Sequence, residues 1–156
     1  MMAHLRTRKV NNMATMKISA CTTCCGNCWG CNYSDSCPQW LDEAPYTTAE
    51  VEVECAKLAL CESRHTMPED CEGAIFPQSV DPADIMRLRL QCARSLKSAV
   101  TDKGIKYLCV YVTGLTVALV EVINWCIAHH VQCIMMHYNR DTGEYYHQCL
   151  HWHKGE

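Results

Sequence analysis

Six cysteines lie close together near one end of the 156-residue chain, in the segment CTTCCGNCWGCNYSDSCPQW at positions 21–40. Thiolates are soft ligands that bind Zn²⁺ and iron–sulfur clusters. The segment contains no aliphatic residue, so it cannot build a hydrophobic core of its own, and metal coordination would replace that core. We therefore predict a metal-binding module whose candidate ligands are Cys21, Cys24, Cys25, Cys28, Cys31 and Cys37.

The spacing of these cysteines is compatible with two kinds of metal site. Cys25, Cys28 and Cys31 are spaced C-x2-C-x2-C, and Cys37 follows with a proline behind it, which resembles the [4Fe–4S] motif of bacterial ferredoxins. The last gap holds five residues here, whereas the ferredoxin motif has three. In the second arrangement, two C-x2-C pairs that begin at Cys21 and Cys28 supply four thiolates to zinc. Zinc is the preferred cofactor, and the [4Fe–4S] cluster is the alternative.

A second candidate site lies in the stretch VYVTGLTVAL at positions 110–119. An apolar strand, a short turn with glycine and an apolar helix would present backbone N–H groups at a helix N-terminus, where α/β proteins bind phosphate. Thr113, Gly114 and Thr116 would form this turn. The next strand would carry His137 and Arg140 to the same edge of the sheet. We therefore predict that these five residues bind an anionic small molecule or a nucleotide.

The elements that position these residues follow from hydrophobic periodicity. The order predicted from residue 73 onwards is β-α-β-α-β-β, which implies a small Rossmann-like α/β domain with a mainly parallel sheet. Asp81 is the predicted N-cap of the first helix, with a proline behind it. The predicted strands are 73–80, 105–112, 131–138 and a returning strand through 150, and the predicted helices are 81–100 and 117–130.

The part of the chain before residue 73 is predicted as three segments: a flexible leader (1–20), the cysteine-rich metal module (21–40) and a helical, acidic connector (41–72). Thr47 and Glu50 have capping-box spacing, which favours a helix over 47–62. The alternating sequence VEVE in that stretch is a competing strand signal. The Rossmann-like domain is predicted over 73–156.

Composition and charge limit the classes of function. The net charge of −3 gives no strong case for duplex nucleic acid as a partner. No stretch has the length and apolar character of a clear membrane span or of a signal sequence, so we predict a cytoplasmic protein without a membrane partner. In that reducing setting, clustered cysteines are more often metal ligands than disulfides. Four later cysteines occupy core-like positions and are predicted to be small hydrophobes: Cys92, Cys109, Cys126 and Cys133.

The stretches YLCVYVTGLTVALVEVINWC and MMHYNRDTGEYYHQ, taken with the predicted element order, resemble the small CRISPR-associated Rossmann-like proteins. Members of that family bind cyclic oligoadenylate messengers over the first βα loops of a dimer. The resemblance covers about 73–150 and implies that Thr113, Gly114 and Thr116 form a phosphate loop in a homodimer. The family does not account for the cysteine module, and no catalytic residue is carried over.

Three functions remain open from the sequence. The first is a metal-binding protein whose Rossmann-like domain binds a nucleotide or related anion, such as a signalling nucleotide in prokaryotic or phage defence. The second is an iron–sulfur electron-transfer protein, and the third is a zinc-dependent protein–protein adaptor. The sequence contains no nucleophile–base pair and no paired carboxylates that demand an enzymatic reaction.

Overall fold

The computed structural model describes residues 14–21, 48–62 and 66–150. Within them a two-stranded sheet precedes a five-stranded sheet that carries two helices. The first sheet consists of β1 (Thr15–Cys21) and β2 (Thr48–Glu54). The second contains β3 (Ala56–Cys61), β4 (Ala74–Phe76), β5 (Tyr107–Tyr111), β6 (Gln132–Asn139) and β7 (Glu144–Cys149), and the helices are α1 (Ile85–Ala99) and α2 (Thr116–Ala128).

The large sheet has the strand order β4-β3-β5-β6-β7. Neighbouring strands are parallel except for β6 and β7, which form an antiparallel hairpin. The predicted order β-α-β-α-β-β from residue 73 onwards is therefore confirmed, as is a mixed α/β fold with a mainly parallel sheet. The two central strands, β3 and β5, are almost completely buried because the sheet is covered on both of their faces.

The helix predicted over 47–62 is wrong, because this stretch forms β2 and β3. In β2, Val53 is buried while Glu52 and Glu54 are exposed, so the alternation in VEVE is that of a strand with one covered face. β3 lies between β4 and β5 in the sheet. The α/β unit thus begins at Ala56, ahead of the predicted boundary at residue 73.

Both helices pack on the same face of the large sheet. Crossovers between parallel strands are right-handed, and the connections β4–α1–β5 and β5–α2–β6 both run in the same direction across the sheet. Leu96 of α1 and Val122 of α2 consequently share one hydrophobic core with alternate residues of the strands, such as Leu60 and Val110. Arg89 of α1 also makes a two-pronged ion pair with the buried Glu121 of α2, with nitrogen–oxygen distances of 3.0 and 3.3 Å.

The connection from β3 to β4 runs in the opposite direction and passes over the other face of the sheet. Its end is joined to β3 by two backbone hydrogen bonds of 2.8 Å, from the Glu72 N–H to the Lys57 carbonyl and from the Ala59 N–H to the Gly73 carbonyl. The side chain of Asp70 contacts Lys57 and Tyr111 on that same face. Residues 66–73 thus cover part of the face that carries no helix.

Helix α1 begins four residues later than the predicted N-cap. The Oδ1 atom of Asp84 accepts a hydrogen bond from the N–H of Arg87 at 3.0 Å, so Asp84 is the N-cap. Asp81 instead accepts a hydrogen bond from the N–H of Ala83 at 2.9 Å, which makes a local turn before the helix. Two aspartates at this spacing compete for the cap, and only the second lies beside the first helical turn.

In the sequence, the cysteine module begins at the last residue of β1 and precedes β2. Residues 15–20, predicted as flexible leader, belong to β1, whose last residue is Cys21. Cys21 is paired in register with Thr48, so the two ends of the intervening segment lie side by side. The other five candidate ligands, Cys24, Cys25, Cys28, Cys31 and Cys37, lie outside the residues that the structure describes.

Among the residues described, no helix has the length and apolar composition needed to cross a bilayer. The predicted burial of the later cysteines is confirmed: Cys92, Cys109, Cys126 and Cys133 are each at most 1% exposed.

Candidate functional site

The chain leaves the adjacent strands β3 and β5 in opposite directions. From β3 it returns to β4 on one side, and from β5 it continues through α2 to β6 on the other side. Because β3 and β5 are parallel neighbours, their carboxyl ends lie next to each other at this point of divergence. Such a switch in direction leaves a crevice beyond the strand ends, and this is where open α/β sheets bind ligands.

Thr113 lies in this crevice but does not present a free hydroxyl there. It is 4% exposed, and its Oγ1 atom accepts a hydrogen bond from the Cys61 N–H at 3.2 Å. The bond joins the end of β3 to the turn after β5 and gives Thr113 a structural role, while its role as a ligand contact stays a prediction. Its sequence position after a buried strand carries no signal that distinguishes the two roles.

Gly114 and the start of α2 form the open part of the crevice. Gly114 has φ of +88°, a conformation that residues with a Cβ rarely adopt, and a Cβ placed there would meet none of the described residues within 4 Å. Leu115 is the N-cap of α2 and makes no side-chain capping bond, while the exposed Thr116 is the first helical residue. The first turn contains no acidic residue. The N-terminal end of α2 therefore keeps its partial positive charge unneutralised by its own side chains.

His137 and Arg140 come from the carboxyl end of β6, the strand next to β5. The Nε2 atom of His137 lies 3.1 Å from the side-chain oxygen of Gln148, and its ring packs against Tyr146 with centroids 5.3 Å apart. His137 is thus engaged with β7, whereas the exposed Arg140 follows β6 in the turn. Of the two, Arg140 is the cation available to an anion at this edge.

Sequence reasoning missed a polar and aromatic cluster on the sheet face opposite the helices. Asp70 forms an ion pair with Lys57 and accepts a hydrogen bond from the hydroxyl of Tyr111 at 3.2 Å. Tyr111 packs edge-on against Tyr145, which in turn contacts Tyr138. The alternation of residues along β5, β6 and β7 would place these tyrosines on one face, but their contact with Asp70 depends on β3 and its crossover.

The ion pair predicts a pH dependence of stability. The hydrogen bond from Lys57 lowers the pKa of Asp70. The ionised Asp70 therefore stabilises the folded state fully above about pH 4, and this stabilisation is lost as the pH falls through the lowered pKa. Burial alone would lower the pKa of Lys57, but its hydrogen bond and charge interaction with Asp70 are stronger and raise the pKa overall. Lys57 therefore stays charged, and keeps stabilising the folded state, through neutral pH. We expect Asp70→Asn to lose less stability than the wild type between pH 6 and pH 3, measured by urea unfolding. An equal loss in both proteins would contradict this assignment.

A separate pocket of about 270 Å³ opens between the end of β4 and the first half of α1. Phe76, Val80 and Leu88 form its apolar wall, and Arg87 and Gln91 contribute polar groups. It lies at the same carboxyl edge of the sheet as the crevice, two strands away from β5. No motif in the sequence indicates it, because it results from the non-helical residues between β4 and α1.

Among the described residues, no group of three or more histidine, cysteine or acidic side chains is arranged to hold a metal ion. The cysteines there are thiols, and burial raises the pKa of Cys55 to about 11 and that of Cys92 to about 12. Burial also raises the pKa of the Cys109 thiol. A side-chain hydrogen bond with Cys133, together with burial, raises the pKa of the Cys126 thiol. At neutral pH these four groups are protonated and act as small apolar side chains.

Comparisons with protein-family models, with curated proteins and with solved structures give no match.

Proposed function

We propose that this protein binds a nucleotide or a related phosphorylated anion in the crevice between the ends of β3 and β5. The observation that carries the proposal is the divergence of the chain at these two adjacent parallel strands, with the N-terminus of α2 at its edge. The protein would then share with Rossmann-like folds both the βαβ crossovers and the class of ligand. A cyclic oligoadenylate is one ligand of this class, as the resemblance to the small CRISPR-associated Rossmann-like proteins implies.

Backbone N–H groups would make the main contacts with the phosphate. The hydrogen bond from the Leu119 N–H to the Leu115 carbonyl, 3.1 Å long, is the first of α2. The N–H groups of the exposed Thr116 and the partly exposed Val117 precede it and have no intrahelical carbonyl to bind. Several N–H donors at a helix start, with the helix dipole behind them, favour an anion.

Two further features support an anion at this place. Gly114 has no side chain to block these N–H groups, and within the part of the chain that the structure describes no atom lies within 4 Å of the position that a Cβ would take. Arg140 adds a positive charge from the neighbouring strand end, and its planar guanidinium suits bidentate bonds to phosphate. Thr116 can add its exposed hydroxyl.

Replacing Gly114 by alanine tests the proposal. The new methyl group would project into the space where the phosphate approaches, so we expect the affinity for adenosine monophosphate to fall by at least about tenfold, or about 1.4 kcal/mol. Binding can be followed by isothermal calorimetry or by amide chemical shifts at low ionic strength, where the charge contribution is largest.

Gly104→Ala is the matched control. Gly104 has φ of +68°, and none of the residues in 14–21, 48–62 and 66–150 comes within 4 Å of its Cβ position, but it precedes β5 and so lies at the opposite edge of the sheet. Both variants bear similar backbone strain. Gly104→Ala should keep wild-type affinity, and equal affinities in the two variants would contradict the proposed location of the site.

We also propose that the cysteine module binds zinc, with an iron–sulfur cluster as the alternative. Six thiols within a segment that lacks aliphatic residues support metal binding. The register also pairs Cys21, the first candidate ligand, with Thr48 in the β1–β2 sheet. A reducing cytoplasm fits this proposal, because clustered cysteines remain available there as thiolate ligands instead of forming disulfides.

Metal analysis of protein purified without oxygen distinguishes the two metals. We expect about one zinc ion per chain and no visible absorption, as for a closed four-thiolate site. Iron, acid-labile sulfide and a broad visible band would replace the zinc proposal with the cluster. Protein that holds neither metal, and that takes up no zinc after reduction, would refute metal binding by the module.

A further inference from the structure

Three tyrosines, Tyr111, Tyr138 and Tyr145, indicate what group the ligand carries besides its phosphate. We propose that Tyr138, backed by the other two rings, is a stacking platform for the base of a nucleotide. This inference rests on the proposed function and narrows it, because it selects nucleotides among phosphorylated anions.

The inner rings of the platform are held in place. Tyr111 is 4% exposed, and its hydroxyl is held by Asp70, which is itself paired with Lys57. The rings of Tyr111 and Tyr145 meet edge-to-face with centroids 5.0 Å apart, and those of Tyr138 and Tyr145 are 5.2 Å apart at 58°. Aromatic pairs at such distances and angles attract each other, so the outer ring is supported by the inner two.

The outer ring is open to solvent. Tyr138 is 52% exposed although it belongs to a strand whose earlier residues, from Gln132 to Met135, are all buried. An aromatic ring that is both exposed and held in place can stack on a flat ligand with little further loss of side-chain freedom. Every nucleobase offers such a flat face.

The platform reaches the same carboxyl edge of the sheet as the proposed phosphate position, but from the face opposite the helices. The register that pairs Tyr111 with Met136, and the hydrogen bond from the Val112 N–H to the Met136 carbonyl, bring the end of β6 next to the turn at Gly114. Tyr138 is two residues beyond Met136 and Arg140 four residues beyond it. One nucleotide would therefore cross this edge of the sheet, with its base on Tyr138 on the helix-free face and its phosphate at the start of α2 on the other face.

Adenosine monophosphate and ribose 5-phosphate form a matched pair of probes, because they share the sugar and the phosphate and differ in the base. Stacking on one aromatic side chain strengthens binding by about 5-fold to 150-fold. We expect the wild type to prefer adenosine monophosphate by a factor in this range. This comparison needs no variant, so it holds even where a substitution perturbs folding.

Tyr138→Ala should lower the affinity for adenosine monophosphate to that for ribose 5-phosphate and leave the latter unchanged. Tyr146→Ala is the control, because Tyr146 is 56% exposed and lies on the adjacent strand, but its ring contacts His137 on the other face of the sheet. The control should bind both probes as the wild type does.

The possible outcomes distinguish a failure of the stacking platform from a failure of the anion site. Equal affinity of the wild type for the two probes, or a loss in Tyr146→Ala without one in Tyr138→Ala, would overturn the platform and leave the anion site standing. Failure of the wild type to bind either probe would overturn both the platform and the proposed function.

Discussion

Replacing Leu60 by alanine is expected to lower the free energy of unfolding by about 2–5 kcal/mol. Leu60 is fully buried in β3, and it belongs to the core that both helices share with the sheet. The substitution removes apolar contacts and leaves a cavity that the surrounding strands and helices cannot fill without moving. Urea unfolding, followed by far-ultraviolet circular dichroism, measures the difference.

Glu54→Ala is the control for this prediction. Glu54 ends β2, two residues before β3 starts, and is exposed, so its replacement should change the stability by no more than about 0.5 kcal/mol. The pair of variants tests the central position of β3, which replaces the helix predicted there. Similar small effects in both variants would mean that residues 56–61 do not lie between β4 and β5.

Replacing Thr113 by valine is expected to cost about 1–3 kcal/mol of stability. Valine has nearly the same shape, so packing is retained, but the buried Cys61 N–H loses the hydroxyl oxygen that accepts its hydrogen bond at 3.2 Å. A buried donor left without a partner costs more than the bond itself contributes. The loss should appear in urea unfolding of the protein without ligand.

Two other threonine variants are the controls for this prediction. Thr113→Ser keeps the accepting oxygen and should retain more of the stability than Thr113→Val does. Thr116→Val changes an exposed threonine three residues later and should alter stability little. If Thr113→Val were as stable as the wild type, the link between the ends of β3 and β5 would not hold the crevice in shape.

The second half of the fold could be predicted because its elements have strong periodic patterns. Leu88, Cys92 and Leu96 recur at helical spacing and are buried in α1, while β5 is a continuous apolar run buried on both faces. β3 could not be predicted in the same way. Its six residues are too short a run to separate a buried strand from a helical turn, and a capping-box spacing near residue 47 favoured the helix.

The candidate site was predictable only in part, for a physical reason. The position of a turn between a buried strand and a helix follows from local sequence, so Gly114 and Thr116 were identified correctly as part of the turn at the start of α2. The bond that occupies Thr113 comes from Cys61, which is 52 residues away in the chain. The tyrosine cluster likewise depends on Asp70, 41 residues from Tyr111. Such contacts depend on the order of strands in the sheet, which periodicity does not specify.

The measurement that tests the central claim most directly is a backbone amide titration of the full chain with adenosine monophosphate at low ionic strength. We expect the largest shifts on residues 114–118, with smaller shifts at the end of β6 and none near Gly104. Shifts confined to the pocket between β4 and α1, or no shifts at millimolar nucleotide, would contradict the assignment of the crevice between β3 and β5 as the ligand site.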